Sequence, residues 1–328
     1  MSAPALWASL LNPPVLYFGL GLATAAARSD LEVPPALSSF FSSFLLMAIG
    51  CRGGAELARA GASPSMWLTL GVAAAASALM PLYLYALARR RFDAANAAAL
   101  AAAYGSVSAV TFACALNLLQ DLKIPYHEYL NVALAAMEAP AIVTGALLYR
   151  LVRAGDPAGG TVALNVPAVL RRLTTKGSLV LLLGSLAIGA AAGAPGWAAV
   201  RPLFGDLFKG VLCFFLLDQG LRCGRQLGEL RSAGAWALGY AIGAPLLGAL
   251  VGLGLGRLIG LPDGDAFLLV VLCASASYLA VPAAMREAIP KANPGIYVTL
   301  PLAVTFPFNV VLGLPLYLAL VSRYGAGP

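Results

Sequence analysis

Ten apolar runs divide the chain, at residues 14–27, 37–49, 66–87, 94–119, 129–151, 177–192, 203–217, 234–259, 266–285 and 296–321. A helix needs about 20 residues to cross the hydrocarbon core of a bilayer. The first two runs of each half are shorter than that. Each is bounded by charge and can lengthen through polar residues, so all ten are read as spans. The pattern predicts an all-α integral membrane protein with ten transmembrane helices.

Two short polar stretches interrupt the fourth and ninth runs. They are Tyr104-Gly105-Ser106-Val107-Ser108-Ala109-Val110-Thr111 and Cys273-Ala274-Ser275-Ala276-Ser277-Tyr278-Leu279-Ala280, each with a Ser-x-Ser at its centre. Ser106 and Ser275 lie 169 positions apart, as do Ser108 and Ser277, and Pro125 and Pro294. Gly50, Arg52, Gly54 and Leu57 match Gly220, Arg222, Gly224 and Leu227 at a shift of 170, and Leu148-Tyr149 matches Leu316-Tyr317 at 168. An ordered series at one drifting shift marks an internal repeat. Five spans per half is an odd number, so the second half enters the membrane from the opposite side, as in many secondary transporters. The expected organisation is a first five-helix repeat over 1–151, a linker over 152–175 and a second, inverted repeat over 176–328.

Composition agrees with the pattern. The chain of 328 residues is 60% hydrophobic and 11% charged, against roughly 25% charged in soluble domains. Its net charge is +7, but the cations cluster between apolar runs and flank spans. No basic, aromatic-lined polar face exists, which excludes nucleic acid as a partner. Loops after odd-numbered spans carry 14 of the Lys and Arg residues, and the opposite side carries 7. Positive charge stays inside, so both termini should be extracytoplasmic and the linker, with Arg171-Arg172, cytoplasmic. No Lys or Arg precedes the first run, so that run is read as a retained span rather than a cleaved signal. Five cysteines without a CxxC pair and a single histidine, His127, offer no zinc-type metal site.

The chemistry is expected at the two interruptions. Glycine and serine weaken a helix, and Pro282 removes an N–H and frees the Tyr278 carbonyl four residues back. Helices four and nine should therefore be broken. A break inside a membrane is tolerated only in protein or beside a watery cavity, and in an inverted repeat the two breaks can meet near the midplane. Each would expose a half-helix N-terminus worth roughly +0.5 charge. Such ends, with the hydroxyls of Ser106, Ser108, Thr111, Ser275 and Ser277, suit a small anion. Ala109, Val110 and Tyr278 complete the candidate substrate site.

Glu138, near the centre of run five beside Pro140, should face the interior and mark an ion or substrate route. Asn309, beside Pro307, holds the corresponding place in run ten. With Thr144 these form the candidate ion-coupling set. Asp218 and Arg222, four residues apart, predict a structural salt bridge. Gly248, Gly252 and Gly256 predict a close helix contact.

At these residues the chain resembles the SbtA family of sodium-dependent bicarbonate transporters of bacteria. Tyr104-Gly105-Ser106-Val107-Ser108 with Thr111 is similar to the family's Phe-Gly-x-Val-Ser-Gly-Ser-Thr stretch. Lys123-Ile124-Pro125-Tyr126, Glu138-Ala139-Pro140-Ala141, Gly228-Glu229-Leu230-Arg231 and Ile289-Pro290-Lys291-Ala292-Asn293-Pro294 carry the likeness through both halves. The resemblance implies a core and a gate domain, a homotrimer, bicarbonate and sodium held where the broken helices meet, and a PII-like cytoplasmic regulator. The family's second stretch reads Ser-Ser-Ser-Asp-x-Ser-Gly-Pro-Pro. Here Ala276, Tyr278, Ala280 and Val281 stand for a serine, the aspartate, a serine and the glycine, and Ala109-Val110 stand for Gly-Ser in the first stretch.

The expected function is secondary transport of a small anion, bicarbonate by resemblance, in a bacterial inner membrane, with membrane lipid around it and no cofactor besides a sodium ion. A sodium site favours hard oxygen ligands, and Tyr278 is a neutral phenol where the family has a carboxylate. Sodium dependence should therefore be weak, with any coupling through protons at Glu138. The more apolar site admits a proton-coupled or uncoupled carrier of a short monocarboxylate as the rival reading. A ligand-sensing membrane protein is the rival from another class. An intramembrane enzyme would need a nucleophile–base pair or a metal triad, and only Glu138, His127 and scattered cysteines are available.

Overall fold

The computed structural model describes residues 11–61, 63–154, 171, 175, 177–228, 234–279 and 281–325. Most of the expected linker, Glu229-Leu230-Arg231 and Ala280 lie outside them. The described residues are helical, with no strand among them. The helices are α1 Pro13–Ala26, α2 Pro35–Ala60, α3 Pro64–Ala88, α4 Ala94–Gly105, α5 Ala109–Asp121, α6 Leu130–Ala154, α7 Gly177–Arg201, α8 Phe208–Gln226, α9 Gly234–Leu258, α10 Asp263–Cys273 and α11 Val281–Ala288. The last run becomes α12 Pro294–Tyr297, α13 Phe306–Phe308 and α14 Leu314–Tyr324, joined through wider π turns at Pro301–Thr305 and Asn309–Gly313.

Seven of the described helical stretches are long and apolar enough to cross a membrane. Polar residues lengthen run two into the 26-residue α2. Run one does not lengthen, and the 14 residues of α1 reach only about 21 Å. Gly177–Gln226 counts as one stretch of 50 residues, yet it holds two helices, α7 and α8. Gly193, at φ 62° and ψ −159°, turns the chain where run six ends, and the π turn Pro202–Asp206 leads into α8.

The ends of the helices follow from local chemistry. Asp93 caps α4 by accepting from the N–H groups of Ala95 (2.8 Å) and Asn96 (3.0 Å). Ser63 caps α3 by accepting from Met66 N–H at 3.1 Å. Pro282 is the second residue of α11, a first-turn position where a missing N–H costs nothing. It opens the second half-helix rather than kinking a continuous one.

The helices fall into two groups. In one, α1 packs along α8 and α2 along α7. The repeat-matched glycines make these seams. A side chain on Gly54 would strike the Leu186 carbonyl, and one on Gly220 would strike the Phe18 carbonyl. Gly50 meets Leu182 while Gly54 meets Leu186 and Ala190, so α2 and α7 run in the same direction. Gly21 meets Leu217 and Gly224 meets Ala25, so α1 and α8 do too. In the second group, α3, α4 and α6 pack together and α9 packs on α10. Gly248, Gly252 and Gly256 do lie against Cys273, Val270 and Ala266. The interrupted helices are central: 94% of the apolar window of Ala94–Asp121 is buried inside, against 22% for Gly177–Gln226.

Candidate functional site: two crossed helix breaks

The helix over run four stops at Gly105 and restarts at Ala109, and that over run nine stops at Cys273 and restarts at Val281. Ser108 does two jobs at the first break. Its Oγ caps α5 by accepting from Thr111 N–H at 3.3 Å. Its own N–H, outside the helix, donates to Ser275 Oγ at 3.0 Å. Ser277 N–H in turn donates to the Ala103 carbonyl at 2.8 Å. Each break thus satisfies backbone groups that the other exposes, which is how two interruptions survive in a buried centre.

A cavity of about 650 Å³, its open mouth included, lies between the two helix groups. Its near wall is the breaks, with Val107, Ser108, Ala109, Val110, Ser277, Tyr278 and Leu279. Leu134 and Glu138 of α6 form one side. The far wall comes from α2 (Ser42, Leu45, Leu46, Ile49), α7 (Ser178, Leu182) and α8 (Phe215). No Lys or Arg is among these lining residues. The site can offer hydroxyls and the first-turn N–H groups of Ala109 and Val110, which have no carbonyl within their own helix to bond. Tyr278 is 5% exposed, and its ring packs edge-on against Phe306 at 5.6 Å. Among the described residues its hydroxyl makes no bond within hydrogen-bond distance, and the side chain it interacts with is that of Ser108.

Of the residues singled out from sequence, Ser108, Ala109, Val110, Glu138, Ser277 and Tyr278 line this cavity. Ser106, Thr111 and Ser275 do not line it; they are buried behind it. Ser106 Oγ donates to the Glu138 carbonyl at 3.2 Å, and Ser275 Oγ donates to the Leu272 carbonyl at 3.0 Å. Asn309 stands apart from the cavity. Its Nδ2 donates to the Ala274 carbonyl at 2.8 Å and its Oδ1 accepts from Tyr317, so it braces the second break. Thr144, half-buried on α6, is also not among the lining residues. Sequence reasoning missed the far wall. Ser42 and Ser178 were visible as hydroxyls within or beside apolar runs, but nothing in their spacing pointed at the breaks.

Two ionic clusters lie beyond the cavity. Asp218, 3% exposed, accepts from Arg222 Nε at 2.9 Å and from Ser38 Oγ at 2.6 Å, so the salt bridge expected within α8 also clasps α2. On the other cluster, Arg52 Nε of α2 lies 2.7 Å from Glu128 Oε1 in the segment before α6. Burial pushes the Glu128 carboxyl above its ordinary range, and Arg52 pulls against that shift.

The family model described as Na+-dependent bicarbonate transporter superfamily matches residues 13–322. A search of curated proteins finds no match to the chain.

Proposed function

The chain belongs to the Na+-dependent bicarbonate transporter superfamily, and we propose that it is a secondary transporter of a small oxyanion, bicarbonate before others. The observation that carries this reading is a cavity at the two helix breaks whose lining brings together the hydroxyl side chains of Ser108, Ser277 and Tyr278 with no Lys or Arg. A phenol donates to an anion where a carboxylate would repel it. Ser108 and Ser277 add hydroxyl donors, and the start of α5 adds two N–H groups and the positive end of its dipole. Ser106, Thr111 and Ser275 hold this arrangement rather than touch the anion.

Transport would proceed by alternating access between two inverted five-helix repeats. The running of α7 alongside α2 and of α8 alongside α1 supports that plan. The first helix of the second half then points against the first helix of the first half, if each leading pair is antiparallel. The excess of positive loop charge after odd-numbered spans supports extracytoplasmic termini.

Sodium dependence is proposed to be weak. Four carbonyls near the breaks, at Ala103, Leu272, Ala274 and Glu138, already accept protein donors, and no carboxylate stands at Tyr278 to add charge. The side chain of Glu138, in the cavity wall, is the group through which protons would couple. The apolar lining of Leu45, Leu46, Leu134 and Leu182 favours a short monocarboxylate as the second substrate to test. The deciding experiment is uptake of labelled bicarbonate, and separately of labelled short carboxylates, into proteoliposomes under independent sodium and pH gradients. Uptake of bicarbonate above protein-free vesicles is expected. Binding without uptake would assign the chain to ligand sensing instead.

A further inference from the structure

A second hollow of about 310 Å³, its open mouth included, lies further along α2, lined among others by Arg52, Gln120, Tyr126, Glu128 and Asn131. It shares one residue with the main cavity, Ile49, so the two spaces lie on either side of that side chain. Arg52 is one turn further along α2 from Ile49. The Asn131 Nδ2 donates both to the Ile49 carbonyl at 3.3 Å and to Glu128 Oε2 at 2.8 Å. Its Oδ1, in a residue 1% exposed, has no partner. One amide therefore ties the backbone of the dividing residue to the ion pair, and α2 in one helix group to the segment before α6 in the other.

We propose that the Arg52–Glu128 pair is a latch on a second access route to the cavity, released when an entering oxyanion replaces the Glu128 carboxylate on Arg52. The inference rests on the reading of the cavity as an anion site. A guanidinium binds any planar oxyanion through the same two-oxygen geometry, so bicarbonate or a short carboxylate is a direct competitor for Arg52. The exposures suit the exchange. The Arg52 side chain is 37% exposed and open to a newcomer, whereas that of Glu128 is 7% exposed. Loss of the pair leaves α2 held here by the Asn131 bond to the Ile49 carbonyl and by the Arg52 guanidinium over the Tyr126 ring, 5.9 Å from its centroid, and Ile49 moves with α2.

The test bridges the latch. Arg52→Cys with Glu128→Cys is joined in proteoliposomes by a reductant-cleavable bifunctional thiol reagent about as long as the ion pair, with wild type treated alike to account for native cysteines. Bridging should lower anion uptake about tenfold or more, and reductant should restore it. Equal uptake by bridged and reduced protein overturns the latch. Arg52→Gln should raise KM for the anion about tenfold with little change in kcat, and Arg52→Lys should recover part of it. An unchanged KM overturns the exchange at Arg52. Should wild type move no anion, the transport reading fails and the latch is read separately. Ile49→Cys should react faster with a membrane-impermeant maleimide when combined with Glu128→Gln, and equal rates overturn it.

Discussion

Ser108 N–H donates to Ser275 Oγ across 3.0 Å, joining residues 167 positions apart. The bond links the two halves of the chain at their interruptions and leaves the Ser108 hydroxyl free to cap α5 and face the cavity. Ser275→Ala would leave a buried N–H without its acceptor, at a cost of about 1–3 kcal/mol. The expected outcome is a lower Tm in detergent and reduced anion affinity together. A variant with wild-type Tm would show that the bond contributes nothing.

Tyr278→Phe should separate binding from stability. The ring contact with Phe306 remains and the hydroxyl that disappears makes no bond within hydrogen-bond distance among the described residues, so Tm should hold. Anion affinity should fall about tenfold, the worth of a hydrogen bond to a charged group. Calorimetric titration with bicarbonate checks it.

Tyr278→Asp introduces the carboxylate that the resemblance to the SbtA family implies at this position. Uptake should become sodium-dependent, because a carboxylate is the hard, charged ligand a cation site favours. Uptake that stays indifferent to sodium would assign the ligand set elsewhere.

Glu138→Gln should abolish uptake driven by a pH gradient in sodium-free buffer while leaving exchange of anion across the membrane intact. Proton-driven uptake at the wild-type rate would reduce Glu138 to a structural role. Ser108→Ala and Ser277→Ala should each weaken binding about threefold to tenfold. Asp218→Asn, which disturbs the clasp with Arg222 and Ser38, should lower Tm with little effect on affinity.

Glu128 gives a pH dependence of stability. Burial raises its carboxyl above the unfolded value, so the native state binds the proton more tightly. Its contribution is present in full below the ordinary carboxylate pKa of about 4.3 and is lost as pH rises through the raised native value. The groups facing it are Arg52 and Glu56 on α2, with Tyr126 and Asn131 nearby. Tm plotted against pH should fall across that window in wild type and be flatter in Glu128→Gln.

Much of the fold was legible because membrane helices announce themselves by apolar length. The two breaks were legible because Ser-x-Ser recurs at one shift, and the Asp218–Arg222 bridge because four residues is one helical turn. The matched glycines were legible as marks of a repeat and Gly248, Gly252 and Gly256 as a close contact, whereas the seams made by Gly54 and Gly220 show only in the packing. Other features had no such signal. Ser42, Ser178 and Phe215 face the breaks from helices far away in sequence, and only packing brings them there. Arg52 and Glu128 lie 76 positions apart, in the body of α2 and in a loop, and no period connects them. Asn309 stands in the sequence as a polar residue among apolar ones, and only packing shows that its amide reaches the Ala274 carbonyl.

The mutual bonds of the two breaks have a kinematic consequence. Ser108 holds Ser275 and Ser277 holds Ala103, so the two interruptions are tied to each other at two points. Under the proposed alternating access the tied breaks would move as one, and the seamed pairs α1·α8 and α2·α7 would travel past them like a carriage against a rail. The distance from Tyr278 to Phe215 would change during turnover, while the distance from Ser108 to Ser275 would stay constant.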